Sequence, residues 1–140
     1  MWIKNYDLYL VMSNPQNPLV MVQYAILLDA AEGRTQVIEF NPDGNSLQFM
    51  YDIIGCSLVE CVQIGVDPQG NRIDAWVDEE GSWSQENIVH LKTNRGQMNL
   101  WGNVLIMKSN NNGDTIGFNP GNIEGLEGLK VAYSHNVIQL

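Results

Sequence analysis

The stretch Ser57–Gly81, SLVECVQIGVDPQGNRIDAWVDEEG, contains the clearest β-hairpin of the chain. Apolar residues recur at alternate positions before and after the turn Asp67–Asn71, DPQGN. Such alternation is typical of strands with one face on the core, and turns favour Asp, Pro, Gly and Asn. The second strand alternates two sets of side chains, which are Ile73, Ala75 and Val77 on one face and Asp74, Trp76 and Asp78 on the other. We therefore predict an antiparallel pair of strands here.

Further strands are predicted on both sides of this hairpin. The run Tyr24–Ala30, YAILLDA, is short and apolar enough for a buried strand, and Thr35–Phe40, TQVIEF, follows a turn as its hairpin partner. The run Leu100–Lys108, LWGNVLIMK, predicts another buried strand. Before it, residues 82–99 fit either a short helix or a strand, followed by a loop. Shorter strands are predicted at residues 115–118 and 131–140.

One helix stands out after the turn Asn41–Asn45, NPDGN. Ser46 is the predicted N-cap, because its hydroxyl can accept a hydrogen bond from a free amide of the first turn. Apolar residues then recur at helical spacing, namely Leu47, Met50, Tyr51 and Ile54. Gly55 stands where a left-handed glycine ends a helix. We expect this helix to lay its apolar face on a sheet.

The segments together predict an α+β fold, with a mainly antiparallel sheet of six to eight strands and one or two helices packed on it. A length of 140 residues favours a single domain, 1–140, in which residues 1–20 form an N-terminal strand or arm. Open sheet edges favour pairing with another chain. A homodimer joined through sheet edges is therefore a further expectation.

The net charge of the chain is −9, from sixteen acidic and seven basic residues. This balance disfavours direct binding to a nucleic-acid duplex, which needs a basic face. A small anionic ligand remains a candidate partner, because it needs only one or two well-placed cations and some backbone amides. A protein with a basic surface is the other candidate, and solubility alone would also account for the charge.

Compartment can be judged from the apolar runs and the cysteines. No apolar run reaches the roughly 18 residues of a membrane span, and the N-terminal segment lacks the small-residue cleavage site of a signal peptide. Cys56 and Cys61 are five positions apart in one predicted strand, so their side chains should point to opposite faces. We expect two reduced thiols, one of them in the core, in a cytoplasmic protein without membrane association.

The familiar catalytic motifs are missing from the sequence. It has no glycine-rich phosphate loop, no nucleophile elbow, and no cysteine in a protease-like or redox-like motif. His90 and His135 lie apart and outside metal-binding spacing. We expect no catalytic residues, no metal and no cofactor. An enzyme with an unfamiliar site stays open, because catalytic groups assemble in space and not along the chain.

The first candidate site lies in the segment Lys92–Trp101, KTNRGQMNLW. A flexible loop that carries cations, amide side chains and an indole could clamp an anion and stack on a base. The candidate ligand-binding residues are Lys92, Asn94, Arg95, Asn99 and Trp101. The alternative is an exposed loop whose charges serve solubility, with Trp101 in the core.

The second candidate site is the acidic end of the hairpin. Aromatic side chains at an acidic rim can mark a protein-binding surface. The candidate protein-interaction residues are Asp74, Trp76, Asp78, Glu79, Glu80 and Trp83, with Glu86 nearby. The alternative is a solvated turn whose tryptophans cover the end of a sheet. DNA mimicry would need a denser and more regular acidic array.

Four segments, in their order along the chain, carry a family resemblance. They are YAILLDA with TQVIEF, the helix LQFMYDIIG, the stretch DAWVDEEG (Asp74–Gly81) followed by KTNR, and LWGNVLIM (Leu100–Met107). Over residues 22–126 the chain resembles the DUF3846 domains, uncharacterised small proteins encoded largely by phages, plasmids and their bacterial hosts. The resemblance implies an accessory protein of a phage or other mobile element in the bacterial host cytosol, and it brings no catalytic residues.

The leading functional hypothesis is a non-catalytic protein that binds a ligand stoichiometrically, for example to sequester a host nucleotide signal. The alternative is an acidic protein-interaction module that blocks a host factor.

Overall fold

The computed structural model describes residues 3–4, 22–121 and 124–135. The elements in these ranges are β1 (Ile3–Lys4), β2 (Gln23–Asp29), β3 (Arg34–Phe40), α1 (Ser46–Ile54), β4 (Val59–Val66), β5 (Arg72–Asp78), α2 (Gly81–Ser84), β6 (Asn87–Thr93), β7 (Gly96–Trp101), β8 (Val104–Ser109), β9 (Thr115–Ile116) and β10 (Lys130–His135). The α+β class predicted from the sequence is confirmed.

The strands form two antiparallel sheets where the sequence predicted one. The large sheet has the order β3-β2-β8-β5-β4, with β9 paired to β8, and the small sheet has the order β1-β10-β6-β7. The predicted hairpins β2–β3 and β4–β5 both lie in the large sheet. The small sheet arises from segment 82–99, which was ambiguous in sequence, together with a strand near the C-terminus.

The main core lies between the two sheets. Ile26 and Ile106 of the large sheet share an apolar cluster with Val89, Leu91 and other buried residues of the small sheet. A second apolar cluster lies on the opposite face of the large sheet, where α1 packs on it. The fold therefore has three layers, with the large sheet in the middle. This explains why β8 is apolar without alternation, since its residues Val104–Met107 are buried on both faces.

The ends of α1 follow ordinary capping chemistry. Asn45, rather than the predicted Ser46, is the N-cap, and its side-chain oxygen accepts a hydrogen bond of 3.0 Å from the Gln48 amide. Asn is as good a cap as Ser, so the spacing alone did not decide between the two neighbours. Gly55 ends the helix with a φ of 82°, as predicted.

Three local predictions were wrong. The segment predicted as a flexible loop is the tight hairpin β6–β7, with Asn94 and Arg95 at its turn. The predicted strand Leu100–Lys108 is broken at Gly102, whose φ of 81° turns the chain from the small sheet into the large one. The two cysteines do not share a strand, because Cys56 precedes β4.

Both cysteines are free, as expected. Cys61 is exposed, whereas Cys56 is half-buried against the cluster beneath α1.

A short piece of the predicted N-terminal strand pairs with β10, where Ile3 stands opposite Val131 and Lys4 opposite Lys130. The remainder of segment 1–20, and the end of the predicted strand 131–140 beyond residue 135, lie outside the described residues. Among the described helices, none has the length and apolar character needed to cross a membrane.

A candidate ligand-binding face on the small sheet

The small sheet turns one face to the core and the other away from it. Val89, Leu91 and Leu100 point inward and are buried. Because side chains alternate along a strand, their neighbours point outward. The outward side chains of β6, β7 and β10 are Ile88, His90, Lys92, Gln97, Asn99, Trp101, Lys130, Ala132 and Ser134. We call this surface the open face, because five of these nine side chains are exposed and three are half-buried.

The open face differs sharply in charge from the rest of the protein. The chain carries sixteen acidic residues, yet none of the nine side chains just named is a carboxylate. Two of the seven basic residues, Lys92 and Lys130, stand directly opposite each other on neighbouring strands. Like charges in that position destabilise a sheet by tenths of a kcal/mol up to about 1 kcal/mol. The strand register thus places two lysine side chains at facing positions of a surface on which none of the nine side chains is a carboxylate.

A polar network crosses the middle of the open face. His90 Nδ1 donates a hydrogen bond of 2.7 Å to Asn99 Oδ1, and His90 Nε2 lies 2.6 Å from Ser134 Oγ. These contacts join β7, β6 and β10, and they fix the orientation of the imidazole. The amide nitrogen of Asn99 takes no part in them, so this bond leaves two N–H donors on the side chain for a ligand.

Trp101 lies at the far end of the same face. It is four residues along β7 from Gln97, the partner of Lys92, which places it about 14 Å from the lysine pair at the usual rise of a strand. Helix α2 packs against its backbone, because a Cβ atom added to Gly81 would lie 2.7 Å from the Trp101 carbonyl oxygen. The indole therefore belongs to a fixed strand end, and it is half-buried.

The structure divides the predicted ligand residues between two places. Lys92, Asn99 and Trp101 share the open face, whereas Asn94 and Arg95 occupy the turn at its end. The turn lines a cavity of about 200 Å³ between the hairpin, the end of β4 and the segment 125–129. Asn94 is held there by a long hydrogen bond of 3.4 Å from its Nδ2 to the Glu127 carbonyl oxygen.

Four polar residues of the open face were missed by the sequence analysis, namely His90, Gln97, Lys130 and Ser134. In the sequence, His90 is an isolated histidine outside metal-binding spacing, which gives no sign of a role on this face. Lys130 and Ser134 reach the face through the pairing of β10 with β6, which spans some forty residues of chain. The alternation of β6 and β10 would have indicated their side of the strand, but no sequence signal gives the pairing itself.

The predicted protein-interaction group is also divided. Asp74 is only 2% exposed, and it accepts hydrogen bonds of 2.9 Å from Arg72 Nη2 and 3.1 Å from Ser109 Oγ. Trp76 is half-buried and packs against the cluster beneath α1. The prediction that Asp74 and Trp76 form part of an exposed surface is therefore wrong, because their side of β5 is the side that the helix layer covers.

The remaining members of that group stay near the surface. The carboxylate of Asp78 accepts hydrogen bonds from the Glu80 amide (2.9 Å) and Ser84 Oγ (3.3 Å). Glu79 and Glu80 are exposed, and Trp83 is 91% exposed.

A buried ion pair lies away from both candidate sites. Lys108 Nζ is 3.1 Å from Asp67 Oδ2 and 5.0 Å from the centre of the Phe118 ring. Asp67 also accepts hydrogen bonds from the backbone amides of Gln69 and Asn71 and from Asn71 Nδ2. Burial raises the pKa of Asp67, but the hydrogen bonds from Asn71 and Lys108 outweigh it and leave the pKa below its ordinary value. The pair therefore ties the β4–β5 turn to β8.

The two thiols are not activated for chemistry. Burial raises the pKa of both Cys56 and Cys61, and the carboxylates of Asp78 and Asp74 respectively raise it further. Within the described ranges, no group of three or more His, Cys, Asp or Glu residues could hold a metal ion.

A family model described as a domain of unknown function, DUF3846, matches residues 22–129, most of the 140-residue chain. The chain belongs to the DUF3846 family. The resemblance seen in the sequence over residues 22–126 is thereby confirmed. No curated protein and no solved structure matches the chain.

The DUF3846 match covers the elements from β2 to β9 and ends just before β10. It therefore includes Lys92, Asn99 and Trp101 of the open face but stops one residue short of Lys130. The family carries no assigned activity, so the function of this DUF3846 protein has to be argued from its own side chains.

Proposed function

We propose that this DUF3846 protein is a non-catalytic binding protein that holds a small anionic ligand on the open face of its small sheet. One observation carries the proposal: two opposed lysines stand on a surface without a described carboxylate, in a chain of net charge −9. A protein so rich in carboxylates could neutralise this surface with a single acidic substitution. An anion bound between the lysines would offset their mutual repulsion and explain why the surface stays cationic.

The remaining side chains of the face suit a ligand with an anionic end and a ring. The ammonium groups of Lys92 and Lys130 would bind phosphate or carboxylate oxygens. Asn99 offers amide N–H donors beside the lysine pair, and His90 holds it in place. Trp101 presents an indole on which a planar ring can stack. A span of about 14 Å between lysines and indole, shortened by the reach of both side chains, suits a ligand the size of a nucleotide.

The family resemblance supports a biological setting for this activity. A small protein of a phage or other mobile element, acting in the host cytoplasm, could lower the level of a host nucleotide signal simply by binding it. Such a protein needs no catalytic group, but it must be made in an amount comparable with that of its ligand. Pairing through sheet edges into a homodimer would duplicate the site.

The experiment is a thermal-shift screen of the purified protein against linear and cyclic nucleotides. A ligand at a hundred times its dissociation constant should add about 2.7 kcal/mol of stability, which is a shift of several degrees for a chain of this size. Lys130→Gln should abolish the shift, whereas Arg34→Gln, which removes another exposed cation, on β3 of the large sheet, should leave it intact. An absence of any shift across the panel, or an equal loss in both variants, would overturn the proposal.

A further inference from the structure

The most exposed large apolar side chain described is Trp83, at 91% of its full exposure. Tryptophan is normally buried over most of its surface, since it gains more than almost any other residue on leaving water. The open face does not use it, and no core cluster among the described residues includes it. The exposed indole therefore forgoes the free energy that burial of a tryptophan would contribute to folding.

The segment that carries Trp83 is rigid. The Trp83 amide donates to the Glu80 carbonyl oxygen at 3.0 Å, and the Asp78 carboxylate caps the turn through Glu80 and Ser84. At the other side, Gly81 is buried against the Trp101 backbone, where no side chain would fit. The indole is thus presented in water by a fixed turn. A backbone that hydrogen bonds already hold in place before binding needs little further ordering when a partner covers the turn.

The surroundings of Trp83 indicate the charge of that partner. Between Arg72 and Lys92 the sequence contains no lysine or arginine. Glu79, Glu80 and Glu86, which lie within four residues of Trp83 in the sequence, carry exposed carboxylates. The carbonyl oxygen of Leu58 accepts a hydrogen bond from the Glu79 amide, so the two residues are neighbours. Leu58 is 48% exposed and adds an apolar side chain there.

We propose that Trp83 is the anchor of a docking surface for a basic protein segment, which we call the Trp83 surface and define as Leu58, Glu79, Glu80, Trp83 and Glu86. The indole would enter an apolar pocket of the partner or lie against an arginine side chain. The carboxylates around it would pair with lysine or arginine at the rim of that pocket. A nucleic acid does not fit this surface, because its phosphates would meet only negative charge.

This surface is separate in function from the open face, although α2 touches the end of β7. Ligand binding by the lysine pair would occupy one host molecule, and the Trp83 surface would engage a second, of protein nature. A variant of the open face should therefore lose ligand binding but keep peptide binding, and a variant of the Trp83 surface should do the reverse. Each proposal can then be tested without the other.

The test measures the fluorescence anisotropy of a labelled peptide of alternating arginine and leucine residues as the protein is added. Trp83→Ser leaves the net charge unchanged and should weaken binding at least about tenfold, because interface tryptophans carry a large share of binding energy. Glu79→Gln/Glu80→Gln should weaken it severalfold. Glu32→Gln/Asp43→Asn, which removes two exposed carboxylates elsewhere, is the matched control and should have less than about a twofold effect.

Either of two results would overturn the proposal. If Trp83→Ser binds the peptide as tightly as the parent protein, the indole is no anchor. If all charge variants weaken binding equally, the peptide merely follows the overall charge of −9. If a nucleotide still raises the unfolding temperature of Trp83→Ser, this variant is folded and the open face binds its ligand without Trp83.

Discussion

The buried pair of Asp67 and Lys108 gives the sharpest prediction about the stability of the fold. Their side chains are 1% and 7% exposed, and the Lys108 ammonium is 3.1 Å from Asp67 Oδ2. In Lys108→Met, Asp67 keeps its hydrogen bonds from Asn71 and Gln69 but loses its counter-ion. In Asp67→Asn, Lys108 keeps its charge next to a neutral amide. Breaking a buried pair in this way costs about 3–5 kcal/mol, because one charge is left uncompensated away from water.

The assay is urea unfolding of the two single variants and of the double variant Asp67→Asn/Lys108→Met. We expect each single variant to lose about 3 kcal/mol or more of unfolding free energy and the double variant to lose clearly less than the sum, since it buries no lone charge. Additive losses would show that the two side chains are not coupled, and a loss below about 1 kcal/mol in Asp67→Asn would show that the pair is not desolvated.

The same pair sets a dependence on pH. The pKa of Asp67 is lower in the folded protein than in the unfolded chain, so its ionised form is stabilised by folding. This contribution is fully present above the unfolded pKa of about 3.9 and is lost as the pH falls through the folded value. The stability difference between the parent protein and Asp67→Asn should thus stay constant from neutral pH down to about pH 5 and shrink below about pH 4. If the difference in unfolding free energy already shrinks between pH 7 and pH 5, the pKa of Asp67 is not lowered by folding.

Three further predictions concern single residues. Gly81→Ala should destabilise the protein by about 1–3 kcal/mol in urea unfolding, because the new Cβ would lie 2.7 Å from the Trp101 carbonyl oxygen; an unchanged midpoint would contradict the tight packing of α2. Asn45→Ala should cost about 1 kcal/mol by the same assay, while Asn45→Ser should cost far less, since serine can also cap α1. Alkylation of Cys61 by iodoacetamide should be slow at neutral pH and still accelerate above pH 9, because its thiol pKa is raised; a plateau below pH 9 would show the opposite shift.

The sequence predicted those parts of the fold in which the pattern is local. The hairpin around DPQGN and the helix ended by Gly55 depend on turn chemistry and on periodicity, and both are present in the structure. Segment 82–99 was ambiguous because Ile88, Val89 and Leu91 fit a helical stripe as well as a strand. The strand Leu100–Lys108 was predicted too long, because a glycine within an apolar run does not reveal that the chain changes sheets there.

The candidate site was predicted only in part, for a reason of the same kind. Lys92, Asn99 and Trp101 were singled out by residue type, and strand alternation brings them to one face. Lys130, which faces Lys92 across the sheet, belongs to a strand almost forty residues further along the chain. Only the sheet register shows that the two lysines are neighbours. For the acidic group, alternation on β5 correctly separated Asp74 and Trp76 from the core-facing residues. The alternation could not show that α1 and the apolar cluster beneath it cover the face of β5 that carries Asp74 and Trp76.

An NMR titration with the nucleotide that gives the largest thermal shift tests whether an anion binds between Lys92 and Lys130. We expect the backbone amides of Lys92, Gln97 and Lys130 to shift saturably, and Lys92→Gln/Lys130→Gln to abolish these changes while the remaining spectrum stays that of the folded protein. Shifts concentrated at Asn94 and Arg95, beside the 200 Å³ cavity, or no saturable shift at any amide, would show that no anion binds between the two lysines.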